Sequence, residues 1–122
     1  MNKNIFLNGI ADYVIMYFLN QRDCYIYELS QATSEKSDGN VILTPNAIYI
    51  AAYKLEEAGY ISQYTVQSGK RMKRNYYHLE PKGKTYLKQL TEAFNQTMAG
   101  FETLFHSKIG GESPDKSQII NP

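Results

Sequence analysis

Four basic side chains fall within five consecutive positions of the chain, as Lys70, Arg71, Lys73 and Arg74. Three more cations follow before residue 90, so residues 63–90 hold seven basic residues against one acidic residue, a net charge of +6. Residues 1–62 sum to −3 and residues 91–122 to −2, so the overall charge of +1 conceals a localised positive segment. Since charges act over a Debye length of about 8 Å, this segment could bind a polyanion such as nucleic acid. A solvated run of charges without a partner is the alternative interpretation.

Residues that could support catalysis or metal binding are scattered. His78 and His106 lie on different predicted elements, and the G-x-S-x-G, P-loop and H-E-x-x-H motifs are absent. Cys24 is the single cysteine, which excludes an intramolecular disulfide and a cysteine-rich zinc site and favours a small core residue. The sequence therefore predicts no enzyme, no metal and no cofactor.

Length and composition favour one globular domain, because the chain has 122 residues of which 43% are hydrophobic. No apolar run approaches the roughly 20 residues of a membrane helix. The first residues lead into apolar positions broken by Asn8, Gly9 and Asp12, without a signal-peptide cleavage pattern. We expect a soluble cytoplasmic protein with no membrane partner.

Three helices are predicted in the first 60 residues, over residues 5–20, 25–33 and 45–58. The third has the clearest ends, because Thr44 is a good N-cap, Pro45 suits the first helical position and Gly59 suits the left-handed position past the end. Between these residues, apolar side chains recur at helical spacing at Ile48, Ala51, Ala52 and Leu55.

A hairpin and a long helix complete the pattern. Residues 60–66 and 75–79 are rich in β-branched and aromatic residues and predict two strands, with the basic residues in a tip over 67–74. Tyr76 and Tyr77 would point to opposite faces, so at most one is core. Pro81 begins a helix that ends at Gly110–Gly111, with an apolar seam at Leu87, Leu90, Phe94, Met98, Phe101, Leu104 and Phe105.

This order predicts an α+β, mostly helical fold: a winged helix-turn-helix with three helices and a two-stranded wing, plus a long C-terminal dimerisation helix. We divide the chain into a DNA-binding domain over 1–80, a dimerisation helix over 81–109 and a disordered tail over 110–122. In such a fold the third helix enters the major groove and the wing contacts the DNA backbone or minor groove. The basic segment then lies on the wing and at the start of the next helix, where phosphate contacts are expected.

Three stretches resemble the PadR-like bacterial transcriptional regulators. They are Cys24–Leu29, the third helix with its continuation through Ile61, and Gly69–Leu79 followed by Gly83. The resemblance implies a backbone contact for Tyr49 and places the chain with the small members that have one C-terminal helix. The chain departs from the family pattern at Ile26, Ala47, Ile50 and Glu80, so the operator sequence does not carry over.

Candidate DNA contacts on the third helix are Thr44, Asn46, Tyr49, Tyr53 and Lys54, in addition to the four wing cations. Each has a structural alternative: Thr44 as N-cap only, Asn46 as a solvated residue instead of an adenine ligand, and Tyr49 as a half-buried aromatic. Tyr53 could instead pack against the wing, and Lys54 could be a free surface lysine. Phosphate binding is favoured at a helix N-terminus by its free N–H groups and dipole.

The apolar seam favours a subunit interface over a ligand site, because a small domain cannot cover it alone. A two-fold dimer would space two recognition helices about 34 Å apart, one turn of DNA. The resemblance also allows a small aromatic effector between the subunits. The function predicted is a homodimeric repressor that binds double-stranded DNA. The alternative is an interaction module or effector-binding protein without DNA binding, suggested by the apolar Ala47, Ile50, Ala51 and Ala52.

Overall fold

The computed structural model describes residues 10–121. Within them, the chain order is α1 (Ala11–Leu19), β1 (Cys24–Tyr25), α2 (Ile26–Lys36), α3 (Pro45–Glu57), β2 (Ile61–Ser68), β3 (Met72–Leu79), α4 (Pro81–Leu104) and a short 3-10 helix (Lys116–Gln118). The predicted α+β, mostly helical class is confirmed. Residues 5–9 of the predicted first helix lie outside the described residues.

The ends of α3 follow the sequence signals. The Thr44 Oγ1 accepts a hydrogen bond from the Ala47 backbone N at 3.1 Å, and Pro45 occupies the first turn. Gly59 has a φ of +80°, the left-handed conformation that ends helices and that glycine adopts without strain. The helix therefore begins where predicted and ends one residue earlier.

Several boundaries differ from the prediction, and the long helix predicted over 81–109 ends at Leu104 instead of at Gly110. Residues 24–25 form a short strand that pairs with β3, as Cys24↔Tyr77 and Tyr25↔Tyr76, so α2 begins one residue later than predicted. It also runs on to Lys36 instead of ending at residue 33. The hairpin strands extend to Ser68 and from Met72, which leaves a turn of three residues, 69–71. Lys73 and Arg74 therefore lie on a strand and not in the tip.

The core lies between α1, α2, α3 and one face of the antiparallel sheet, whose strand order is β1-β3-β2. Its most buried side chains are Ile15, Met16, Leu29, Ile48, Ile61 and Leu79. Cys24 is buried among them, which confirms its prediction as a core residue. Tyr77 is 4% exposed and Tyr76 is half-buried on the opposite face, as the strand alternation predicted.

The first half of α4 belongs to this core and its second half does not. Leu87 is 8% exposed and Leu90 packs against the core, whereas the apolar side chains from Phe94 onward are exposed. Leu87, which was predicted in the interface seam, is covered by its own chain and has little surface left to contact a partner. Residues 105–121 are exposed, and the disordered tail over 110–122 stays a prediction. None of the helices within residues 10–121 is long and apolar enough to cross a membrane.

Gly83 lets α4 approach the end of α3. A Cβ at this position would overlap the Tyr60 carbonyl oxygen and meet the Leu79 Cδ1 at 2.6 Å. Because the first of these neighbours is backbone, it cannot rotate away, and overpacking of this kind costs about 2 kcal/mol. We expect Gly83→Ala to lower the free energy of unfolding by that amount in urea titrations at equal protein concentration.

Gly100 on the same helix provides the control. A Cβ there meets nothing within 4 Å, so Gly100→Ala should leave stability unchanged or raise it by up to about 1 kcal/mol through helix propensity. Equal effects of the two substitutions would contradict the close approach at Gly83.

Candidate nucleic-acid interface

The outward face of α3 carries a single line of exposed side chains. Asn46, Ile50, Tyr53 and Glu57 follow one another at steps of four, three and four residues, so they lie on one side of the helix. The opposite side is the core face, formed by Ile48, Ala51, Ala52 and Leu55. A groove that receives α3 would therefore meet Asn46 and Ile50 first, because they lie in the N-terminal half of the helix.

Tyr49 and Lys54 lie on the two flanks of this line. Tyr49 is exposed on the side of the wing, beside the buried Tyr77. Burial is the main cause that raises the pKa of Tyr77, and the neighbouring Glu56 and Tyr49 add to it. Lys54 lies on the side of α1, near Asp12. Burial raises the pKa of Asp12, and the Lys54 ammonium group partly opposes this shift. Four of the predicted α3 contacts, Asn46, Tyr49, Tyr53 and Lys54, thus share the exposed side of the helix, and Thr44 caps it.

The wing joins α3 through a polar contact on one face of the hairpin. The Gln63 side-chain amide donates to the Glu56 carboxylate of α3 at 3.0 Å. Gln63 pairs with Tyr77, and Gln67 pairs with Lys73, so these residues share the face turned to α3. Lys73 therefore projects on the side of the proposed recognition helix, while Lys70 and Arg71 are exposed in the turn.

Arg74 lies on the other face of the wing, within a cluster of three tyrosines. Tyr64 and Tyr76 are stacked with centroids 5.9 Å apart, and Tyr25 meets Tyr76 edge-on at 5.5 Å. The Arg74 guanidinium lies over the Tyr25 ring, 4.8 Å from its centroid. This contact ties Arg74 to the fold of the wing, so it differs from the other three basic residues of the predicted set.

Asp23 anchors the same outer face of the hairpin to the segment between α1 and α2. Its carboxylate accepts hydrogen bonds from the Tyr64 hydroxyl at 2.6 Å and from the His78 Nδ1 at 2.8 Å. Burial acts to raise the pKa of Asp23, but the hydrogen bonds and the His78 ring outweigh it and hold that pKa below its usual value. Arg22, one residue before Asp23, forms an ion pair with Glu28 at 2.7 Å. The hydrogen bond from Arg22 is the largest of the causes that lower the pKa of Glu28.

No local sequence pattern marks this anchor, and its effect should appear in the pH dependence of stability. A carboxyl group whose pKa is lower in the folded state stabilises the fold above its unfolded pKa of about 3.9, and that stabilisation is lost as pH falls through the folded pKa. We expect Asp23→Asn to lower the free energy of unfolding by about 1 kcal/mol at pH 6. The difference from the parent protein should shrink as pH falls below 4.

Urea unfolding followed by circular dichroism at pH 6, 4 and 3 measures this difference. Glu35→Gln removes one negative charge from an exposed position of α2, where both side chains suit a helix, and serves as the control. A pH-independent difference for Asp23→Asn would contradict the role of its ionised form.

The three lysines that follow the wing, Lys82, Lys84 and Lys88, lie in different surroundings on the protein surface. The Lys82 ammonium group donates to the Ala58 carbonyl at 2.8 Å and lies over the Tyr60 ring, 5.2 Å from its centroid. A cation at the C-terminus of α3 complements the helix dipole, so Lys82 stabilises the end of α3. Lys84 and Lys88 are exposed on α4.

The exposed apolar stripe of α4 continues into a cleft beside α1. Tyr13 of α1 packs on Phe94 with ring centroids 5.3 Å apart. These two residues, together with Met98 and Phe101, line a cleft of about 350 Å³. The Phe101 and Phe105 rings are stacked 5.8 Å apart, and Leu104 is exposed beside them. In residues 10–121, no group of three or more His, Cys, Asp or Glu residues is arranged to hold a metal ion.

Comparison with known proteins finds similar sequences and similar folds. The model of the transcriptional regulator PadR-like family matches residues 15–89. A transcriptional regulator from Clostridium thermocellum is 31% identical, with a TM-score of 0.72 over 80% of this chain and 91% of that chain. A PadR family regulator from Clostridium difficile is 24% identical, with a TM-score of 0.70 over 80% and 99%. Bacillus subtilis PadR, solved in complex with operator DNA, is 19% identical, with a TM-score of 0.63 over 88% and 54%. These likenesses confirm the predicted winged-helix fold.

Proposed function

Because this chain belongs to the PadR-like family of transcriptional regulators, we propose that it binds double-stranded operator DNA as a homodimer and represses transcription by occupying the site. A member of this family is a regulator and not an enzyme. Such a protein acts on the chromosome, so we place it in the cytoplasm. The observation that carries the proposal is the position of Lys73 on the face of the wing turned to α3, with Lys70 and Arg71 exposed in the adjoining turn.

The charges of the wing are available to a polyanion. Within the described residues, no ion pair of 4.0 Å or less involves Lys70, Arg71 or Lys73. Phosphate contacts by such cations position a protein on the duplex, and the helix in the major groove then selects the sequence. Bacillus subtilis PadR has been solved with operator DNA, which supports the same class of ligand for this chain.

The exposed stripe on α4 supports the dimer. Phe94, Met98, Phe101, Leu104 and Phe105 form one apolar face, and a second copy of the chain would cover it. A two-fold dimer presents two α3 helices to half-sites about 34 Å apart. The cleft between α1 and α4 is where a small aromatic effector would bind and change this spacing.

Binding to a labelled duplex from the region upstream of its own gene tests the function. We expect the protein to bind this duplex at low salt, with an affinity at least about 10³-fold above that for a scrambled duplex. Fluorescence anisotropy measures the affinity, and light scattering measures the dimer.

The alternative is a winged-helix module that binds a protein or a small molecule in place of DNA. It is favoured by the exposed apolar and aromatic side chains of α3, Tyr49, Ile50 and Tyr53. An intact dimer that binds no duplex at low salt would support the module and refute the regulator bound to DNA.

A further inference from the structure

We propose that Ile50 selects thymine in the operator through its C5 methyl group and that Asn46 selects an adenine about two base pairs away, so α3 recognises A·T pairs in each half-site. This inference rests on the proposed DNA binding and names the base pairs that the exposed face of α3 would recognise.

The geometry places these two side chains where bases are read. Both lie on the outward line of α3, in its N-terminal half, and Ile50 is 50% exposed. Four residues advance a helix by about 6 Å, which corresponds to about two steps of the 3.4 Å base-pair repeat. Asn46 and Ile50 therefore reach base pairs about two steps apart within one half-site. Tyr49 and Lys54 flank them, with a hydroxyl and an ammonium group that suit the two phosphate walls of a groove.

The chemistry of Ile50 limits what it can contact. The side chain has no hydrogen-bonding atom, so it contributes nothing to phosphate binding, and half of its surface is exposed on this face. The thymine methyl is the apolar group that the major groove offers, while the other base edges there are hydrogen-bond donors and acceptors. Asn46 has an amide that matches the N6 and N7 atoms of adenine with two hydrogen bonds. Ile50 is also a position at which the chain departs from its family pattern, so the preference would be particular to this chain.

Replacing thymine by 2′-deoxyuridine tests the contact, because the change deletes the methyl group and keeps every hydrogen bond. The probe is the tightest duplex that the 122-residue chain recovers from a randomised library, with uracil introduced at one symmetric pair of thymines at a time. Burial of one methyl group corresponds to about a 4-fold change in affinity, so one symmetric pair should weaken binding about 15-fold. In Ile50→Ala the same replacement should change affinity less than about 2-fold, and Ile50→Val should be intermediate.

Matched variants separate this contact from general losses. Ile120→Ala removes the same side chain from an exposed position in the C-terminal segment and should keep the full response to uracil. For Asn46, 7-deazaadenine in place of adenine removes the N7 acceptor and should weaken the parent protein at least about 5-fold, with no response in Asn46→Ala.

The outcomes distinguish the two levels of the proposal. A parent protein that binds the selected duplex but tolerates uracil at every thymine overturns this inference and leaves DNA binding intact. An unchanged response in Ile50→Ala also overturns it. Failure to recover any duplex at low salt refutes the proposed function itself.

Discussion

Replacing Lys70, Arg71 and Lys73 together with alanine is expected to remove most of the salt dependence of DNA binding. Two wings in a dimer carry six of these cations, and neutralising six phosphates gives a slope of about −5 in log affinity against log salt. Between 50 and 200 mM salt the parent protein should therefore lose about 10³-fold in affinity, and the variant only a few-fold. The loss at low salt should be similar for all duplex sequences, because phosphates carry no sequence information.

Arg74 is left out of this variant for a structural reason. Its guanidinium lies over the Tyr25 ring on the face of the wing turned away from α3, and its charge helps to lower the pKa of Glu28. Removing it would loosen the wing as well as remove a charge, so a quadruple variant could not separate the two effects.

A second triple variant controls for net charge. Lys36, Lys108 and Lys116 lie at the end of α2 and in the C-terminal segment, and their replacement by alanine lowers the charge of the chain by the same three units. We expect the slope of this control to match that of the parent protein. Equal slopes in both triple variants would show that the wing does not contact the phosphates.

Helix α3 and the wing could be predicted because their signals are local. Thr44, Pro45 and Gly59 mark the ends of α3 through backbone preferences that do not depend on distant residues. For the same reason, alternation predicted that Tyr76 and Tyr77 lie on opposite faces of the strand, although it did not say which of them is buried. The face of the wing to which each cation belongs also follows from this alternation, once the register of the hairpin is known.

The contacts that hold the wing could not be predicted, because they join residues far apart in the chain. Asp23 meets Tyr64 and His78, which are 41 and 55 residues away. Strand β1 has two residues, and its conformation depends on pairing with β3 and not on its own propensity. Lys82 stood in a basic run typical of phosphate binding, yet it reaches back 24 residues to the end of α3.

The apolar period of α4 identified the stripe but not what covers each part of it. Leu87 and Phe101 are fourteen residues apart and have the same place in the repeat, but the first is 8% exposed and the second 45%. Packing of α1 against the first half of α4 makes the difference, and a one-dimensional pattern does not contain that information. The stripe that remains open begins at Phe94 and supports association with a second copy.

Phe101→Glu is therefore expected to separate the proposed dimer. The substitution removes an aromatic side chain from the centre of the exposed stripe and would place an ionised carboxylate against apolar side chains of the partner. The loss of burial at the two copies of Phe101 together corresponds to about 3 kcal/mol, so the dimer should weaken at least about 100-fold at pH 7. Sedimentation equilibrium over a range of protein concentrations measures this change.

Gln96→Glu is the matched control, since it introduces the same charge on the opposite side of α4 and should leave the dimer intact. DNA binding should follow the dimer, because two linked α3 helices bind a two-site operator more tightly than either helix alone. Phe101→Glu should thus lose at least about 100-fold in affinity for the full operator and little for a single half-site. A variant that remains dimeric, or that binds the full operator as tightly as the parent protein, would show that α4 does not form the interface.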